Sequence, residues 1–463
     1  MGRRSKREPK RDPLPANAVG PRPVVAIVGR PNVGKSTLFN RLIGHRLAIV
    51  EDVPGVTRDR HYADAILLGR DVVVVDTGGF DPESDDPMME GIADHVRLAL
   101  QEADVVVCVL DVTSGPLPAD FEAVRLLRDA QRPVIYVANK ADSVQREADA
   151  ATLYELGVED ILPISAEHAR GVGELEDRLV AALPEREEHA EAVSHQGVPR
   201  LAIVGRPNAG KSSLINRLLG EDRQLVDDRP GTTIDTIDAL IEGPDDERFV
   251  LIDTAGIRRK RAVRKERGVE GLSVMKAIRA MERADAVVLM IDADDGVAEQ
   301  DARLCGLAID RGRALVIGLN KSDMLDGERR KKAIQRTREI LAFAPWAPIV
   351  VLSAKTGRAT NKLLKTVSAA LVEHAKRIPT AKLNRFFDEV LEHHPPPTQK
   401  GRPVRLFYVT QASTRPPTFI AVTNEPKLVH FSYQRYVINA IRERFGFEGV
   451  PVRVFYRRRR RRE

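Results

Sequence analysis

The sequence predicts two tandem α/β domains of one design followed by a small α+β domain, and three observations predict it. The phrase Gly29-Arg30-Pro31-Asn32-Val33-Gly34-Lys35-Ser36 recurs with one change as Gly205-Arg206-Pro207-Asn208-Ala209-Gly210-Lys211-Ser212. Further short motifs follow each copy in the same order, and the matching elements lie 176, 177, 181 and 188 residues apart, drifting as loop insertions would make them. From about Ala381 the pattern changes to an α-β-β-α-β order, which reads as a separate small domain.

Each element can be justified in turn. The apolar runs Val24 to Val28 and Leu201 to Val204 precede the two Gly-x-x-x-x-Gly-Lys-Ser loops, and Thr37 to Leu42 and Ser213 to Leu218 read as amphipathic helix starts after them. A Gly-rich loop between a strand and a helix is built to cradle phosphate. Its small residues let backbone N–H groups and the helix N-terminus face a β-phosphate. Lys35 and Lys211 are then placed to bridge β- and γ-phosphates, and the hydroxyls of Ser36 and Ser212 to ligate Mg²⁺.

Pro54-Gly-Val-Thr57 and Pro230-Gly-Thr-Thr233 come next, making Thr57 and Thr233 candidates for a switch threonine that closes over the magnesium ion. Asp76-Thr77-Gly78-Gly79 and Asp253-Thr254-Ala255-Gly256 end the β-branched runs Val72 to Val75 and Phe249 to Ile252. An acid at a strand's carboxyl end can hold Mg²⁺ through water. The N–H of Gly79 or Gly256 can bond the γ-phosphate and report its loss.

Asn139-Lys140-Ala141-Asp142 and Asn320-Lys321-Ser322-Asp323 name the base. A carboxylate at Asp142 or Asp323 accepts from guanine N1–H and the 2-amino group, whereas adenine presents a lone pair there. With about 1.5–3 kcal/mol in each charged hydrogen bond, ATP should be rejected. Ser165-Ala166 and Ser353-Ala354 fit the loop whose backbone N–H meets guanine O6. Singly, each motif also has a plain structural reading as a turn, a helix cap or a solvated loop. The ordered recurrence of all of them favours two GTP sites.

These residues resemble the double-Era-like GTPases, the Der or EngA family, over nearly everything from about Pro23 to Tyr456. The resemblance implies two tandem P-loop GTPase (G) domains and a KH-like domain. It also implies hydrolysis of GTP to GDP and phosphate, a role in assembly of the large (50S) ribosomal subunit, and rRNA as a partner in the cytoplasm. One departure from the Ras pattern bears on mechanism. Where Ras-type enzymes carry a water-orienting Gln, Phe80 and Ile257 stand here, so unassisted turnover should be slow. In families with this substitution an Asn of the phosphate loop resembles a potassium ligand, and Asn32 and Asn208 occupy the matching positions.

Composition places the boundaries. The expected order is a basic arm over 1–22, G domain 1 over 23–184, a charged linker over 185–197 and G domain 2 over 198–377. A KH-like domain over 378–456 and an Arg tail over 457–463 complete the chain. Within the KH-like domain an amphipathic stretch Leu383 to Leu391, strands Val404 to Thr410 and Thr418 to Val422, a helix Tyr433 to Phe445 and a strand Val452 to Tyr456 are expected. Gly446-Phe-Glu-Gly449 matches the RNA-gripping Gly-x-x-Gly of KH domains by letter, but it follows the last helix and is acidic. Gly446 therefore reads as a helix C-cap.

Of the net charge of +6, the arm, the tail and residues 381–456 each hold +5, leaving −9 on the two G domains. Basic ends point to nucleic acid. The competing function class is a signalling switch recruited to protein or to an anionic membrane surface through those ends. An acidic stretch, Phe80 to Asp86, follows the first switch and a basic cluster, Arg258 to Arg267, follows the second, so the sites are not duplicates in their outputs. Cys108 and Cys305 read as small buried apolar residues, and Trp346 and Phe343, just before a strand, as core. No apolar run is long enough to cross a membrane, and the chain is expected to be monomeric.

Overall fold

The computed structural model describes residues 22–44, 62–77, 96–97, 99–100, 103–128, 130–184, 197–221, 238–252, 270–398 and 403–458. The first sheet comprises β1 (Val24–Val28), β2 (Tyr62–Leu67), β3 (Arg70–Asp76), β4 (Val105–Asp111), β5 (Val134–Asn139) and β6 (Ile161–Pro163), in the order β2-β3-β1-β4-β5-β6. All neighbours run parallel except β2, which is antiparallel to β3. The second sheet repeats this with β7 (Arg200–Val204), β8 (Ala239–Glu242), β9 (Arg248–Leu251), β10 (Ala286–Asp292), β11 (Ala314–Asn320) and β12 (Ile349–Val351). Even the register repeats: Val25 faces Val105 in one sheet and Leu201 faces Ala286 in the other. Central parallel strands are covered on both faces and must be apolar throughout, and every residue of β4 and β10 is buried. The chain crosses from one side of β1 or β7 to the other, so the motif-bearing strand ends share one crevice.

The C-terminal segment has the expected α-β-β-α-β order: a helix Thr380–His393, β13 (Leu406–Thr414), β14 (Pro417–Thr423), a helix Phe431–Phe445 and β15 (Arg453–Arg458). β14 is central, antiparallel to β13 and parallel to β15. β15 continues past the expected boundary, because Arg457 and Arg458 pair with Val422 and Thr423. Those two arginines therefore belong to the sheet, and the tail begins after them.

Packing joins the units. One apolar core runs from Val24, Val106 and Cys108 of the first sheet to Ile278 and Met281 of the helix Glu270–Arg283, and on to Val287 and Cys305. Both cysteines are free and buried, and burial pushes the Cys305 thiol up to about 12. A second core joins Val316, Val367 and Ala370 of the second G domain to Phe387, Phe419 and Phe447 of the C-terminal domain. Trp346 packs against the first of these cores and also meets the C-terminal domain. It is half-buried, and the Arg442 guanidinium of the C-terminal domain lies 4.8 Å over its ring.

Arg22 also departs from expectation, for it is not part of a free arm. It pairs with Asp64 at 2.7 Å and with Glu282 of the second G domain at 2.7 Å. Glu282 meets Arg311 at 2.9 Å and Arg313 at 4.0 Å as well. Close by, Asp104 accepts from the Val24 N–H at 2.7 Å and pairs with Arg279 of the second domain. Burial works to raise the Glu282 pKa, but Arg311, Arg22 and Arg313 outweigh it and hold the carboxyl below its ordinary value of 4.5. A carboxyl depressed in this way stabilises above its unfolded pKa and loses that contribution as pH falls through the folded one. Glu282→Gln should leave the buried Arg311 and the half-buried Arg313 without the anion they pair with and Arg22 with Asp64 alone, at a cost of about 3–5 kcal/mol. Urea unfolding near neutral pH should show that loss, and the difference from wild type should shrink as the pH is lowered below 4.5. An unchanged midpoint at neutral pH would contradict this reading.

Candidate nucleotide sites

Each phosphate loop is shaped by two close approaches. Gly29 has φ +145° and Gly34 φ +93°, and Gly205 and Gly210 have φ +149° and +94°. A Cβ on Gly29 or Gly205 would strike the Val109 or Met290 carbonyl, and one on Gly34 or Gly210 would strike the side-chain amide of Asn139 or Asn320. The glycines are thus required by the protein itself as well as by any phosphate.

That amide ties three motifs together. Asn139 Nδ2 donates to the Val33 carbonyl at 2.8 Å, and its Oδ1 accepts from the Ala166 N–H at 3.0 Å. In the second domain Asn320 Nδ2 donates to the Ala209 carbonyl at 2.9 Å and Oδ1 accepts from Ala354 N–H at 2.9 Å. The next residues, Lys140 (φ +70°) and Lys321 (φ +62°), are left-handed. Lys140 Nζ reaches Asp111 at 2.7 Å, and Lys321 reaches Asp292. Ala141 and Ser322 are buried, and their N–H groups donate to Ile164 and Leu352 at 3.0 and 3.1 Å. Asp142, by contrast, stands at the surface with Oδ1 accepting from the Ser165 hydroxyl at 2.7 Å and Oδ2 from Arg146 at 2.6 Å. The Ser165 hydrogen bond, with Arg146 nearby, holds the Asp142 carboxyl below its ordinary value, and Ser353 does the same for Asp323.

At the phosphate end, Lys35 Nζ donates to the Arg30 carbonyl at 2.7 Å, and Lys211 Nζ to the Gly205 and Arg206 carbonyls at 2.7 and 2.6 Å. Burial lowers the Lys35 pKa. The Ser36 hydroxyl donates to Asp76 Oδ2 at 2.7 Å, and the Thr77 hydroxyl to the Ile27 carbonyl at 2.9 Å. A hydroxyl and a carboxylate side by side are hard oxygen donors and fit Mg²⁺. Arg30 and Arg206 turn their guanidinium groups inward, to Asp120 at 3.3 Å and Asp301 at 2.8 Å. Their side chains brace the loop. Val33 and Ala209 are buried, whereas Pro31, Asn32, Pro207, Asn208 and Ser212 are exposed. Asn32 and Asn208 are left-handed, at φ +65° and +63°.

The remaining expected site residues, Thr57, Gly78, Gly79, Phe80, Thr233, Asp253, Thr254, Ala255, Gly256 and Ile257, lie outside the described residues, as do the acidic and basic stretches after the two switches. Sequence reasoning missed Asp111 and Asp292. Each closes an apolar run at the same 181-residue offset as the Asn-Lys-x-Asp motifs, and that shared spacing was the available signal.

A family model described as "50S ribosome-binding GTPase" matches residues 24–140 and 200–321. One described as "KH-domain-like of EngA bacterial GTPase enzymes, C-terminal" matches residues 377–457. An "Elongation factor Tu GTP binding domain" model matches residues 274–373. The GTPase Der of Geotalea daltonii is 45% identical over 440 residues, covering 95% of this chain and 98% of its own. That of Symbiobacterium thermophilum is 47% identical over 442 residues, covering 95% and 93%.

The chain belongs to the Der family of GTPases. It is therefore a protein of two P-loop G domains with a KH-like C-terminal domain, as the repeated sheets and the α-β-β-α-β segment display. Among the described residues no helix is long and apolar enough to cross a membrane.

The Asp142–Ser165 hydrogen bond can be tested directly through titration. Removing the Ser165 hydroxyl in Ser165→Ala should let the Asp142 carboxyl rise toward its ordinary 3.8. NMR titration of that carboxyl in both proteins measures the change, and equal midpoints would contradict the assigned hydrogen bond.

Proposed function

We propose that this Der-family chain binds GTP at both sites, hydrolyses it to GDP and phosphate, and acts in assembly of the 50S ribosomal subunit. The duplicated asparagine bridge carries the reading, since in both domains it links a phosphate loop to a guanine-type loop with hydrogen bonds of 2.8–3.0 Å. In this account Asp142 and Asp323 accept from the guanine edge, and the Ala166 and Ala354 loops lie at O6. Lys35 and Lys211 move from backbone carbonyls onto the β- and γ-phosphates, a short swing for a flexible ammonium. Ser36 with Asp76 and Thr57, and Ser212 with Asp253 and Thr233, would hold Mg²⁺, which neutralises phosphate charge when bound. Gly79 and Gly256 would sense the γ-phosphate.

No glutamine follows either Asp-x-x-Gly motif, for Phe80 and Ile257 stand there. Apolar side chains cannot orient the attacking water, so turnover is slow without help. Asn32 and Asn208 are the residues proposed to hold K⁺, whose charge would offset that developing between β- and γ-phosphates. What supports this is their exposure at the loop tip and the lack of a hydrogen-bond partner for either side chain among the described residues. Turnover should be faster in KCl than in NaCl at equal ionic strength, and Asn32→Ala with Asn208→Ala should erase the difference. Equal rates in the two salts would remove the potassium assignment.

For the ribosomal role, the support is the family description and the positive charge gathered at the chain ends and C-terminal domain. Co-sedimentation with 50S particles should be strong with a non-hydrolysable GTP analogue and weak with GDP. Charge reversal of Arg258, Arg259 and Lys260 should weaken it while hydrolysis persists. Binding that is absent in both nucleotide states would favour a signalling role instead.

A further inference from the structure

The two G domains differ at one shared place. In the second, the β10–β11 register turns the Leu315 N–H away from β10, and it donates to the Gly449 carbonyl at 2.7 Å. The Gly449 N–H in turn donates to the Trp346 carbonyl at 2.9 Å. The loop after the helix Phe431–Phe445 is thus wedged between the start of β11 and the segment leading into β12. Only glycine fits at its tip, where φ is +74° and a Cβ would lie 2.6 Å from Ala370 Cβ. Phe447, two residues earlier, is fully buried. This is the Gly446-Phe-Glu-Gly449 that resembled an RNA-gripping loop by letter; here it grips a G domain.

The offsets of 181 and 188 residues carry Leu315, Trp346, Pro348 and Ala370 onto Val134, Val158, Asp160 and Ala182 of the first domain. Those four line a groove of about 780 Å³. The register sets Val134 opposite Val106, whose N–H donates to the Pro133 carbonyl, so the Val134 N–H points away from β4 and into the groove. Among the described residues no backbone acceptor meets it. The first three residues of β5 are half-exposed, whereas β11 is buried along its whole length. The first domain therefore keeps the donor, the apolar floor of Val134, Tyr136 and Val158, and the small Ala182, without the loop that fills the second.

We propose that this groove is a docking site for a partner protein, which enters with a loop of the form aromatic-x-glycine-aliphatic. The occupant is read from the repeat: the equivalent groove takes Phe447-Glu-Gly449-Val450 of this chain. The glycine fits because Ala182 matches Ala370, and its carbonyl and N–H would meet Val134 N–H and the Val158 carbonyl, as β-edge recognition requires.

A fluorescein-labelled peptide of residues Arg444 to Val452 serves as the probe, with binding to the full chain followed by anisotropy. It should bind saturably, and a Gly449→Ala peptide should bind at least about tenfold more weakly, a discrimination of about 1.4 kcal/mol. Ala182→Trp in the chain should have the same effect with the unfolding midpoint unchanged. Should that variant misfold, Val158→Glu tests the same wall. No binding, or binding that survives both groove substitutions, overturns the proposal. So does displacement by an unlabelled peptide of residues 8–20, which would make the arm the occupant. A concentration-dependent dimer that Ala182→Trp dissolves would likewise make a second copy the occupant and overturn it.

Discussion

One side-chain amide in each G domain holds the site together. Asn139 and Asn320 sit at strand ends, each buried, and each satisfies a carbonyl of the phosphate loop and an N–H of the Ser-Ala loop. Removing it would orphan two buried backbone groups at once, each worth about 1–3 kcal/mol. The same amide makes Gly34 and Gly210 obligatory, since no Cβ fits beside it. The glycine-rich loop and the Ser-Ala loop are thereby one hydrogen-bonded unit rather than two separate loops, which is what preorganised binding needs.

Around this bridge the two domains repeat the same contacts at the asparagine, lysine and arginine positions, and then diverge where they meet other parts. The second domain is packed on both sides, against the first through the Glu282 cluster and against the C-terminal domain through Gly449 and the Arg442–Trp346 stack. The first has its groove open at the position where the second is filled. Duplication of the chemistry is therefore combined with asymmetry of the surroundings, and a change at either nucleotide site has a different neighbour to act upon.

Much of this was legible in the sequence because each motif begins at or just after the end of an apolar strand, where identity and spacing report position. The Lys35, Ser36–Asp76, Asn139 and Asp142 arrangements follow from that rule. What escaped it were partners brought together by packing. Nothing local ties Lys140 to Asp111, or shows that Arg30 turns inward to Asp120 rather than outward to phosphate. Arg22 looked like one more charge of a basic arm until Glu282, 260 residues away, fixed it. Trp346 read as a core residue and Gly449 as the end of a Gly-x-x-Gly matched by letter, and their hydrogen bond across domains is made by packing that no motif announces.

The central claim is that each asparagine amide independently holds one nucleotide site. Calorimetric titration of the full chain with a non-hydrolysable GTP analogue tests it most directly. Wild type should bind two analogues, Asn139→Ala should lose at least about tenfold in affinity at one site while leaving the other unchanged, and Asn320→Ala should do the reverse. Two sites of wild-type affinity in either variant would contradict the account.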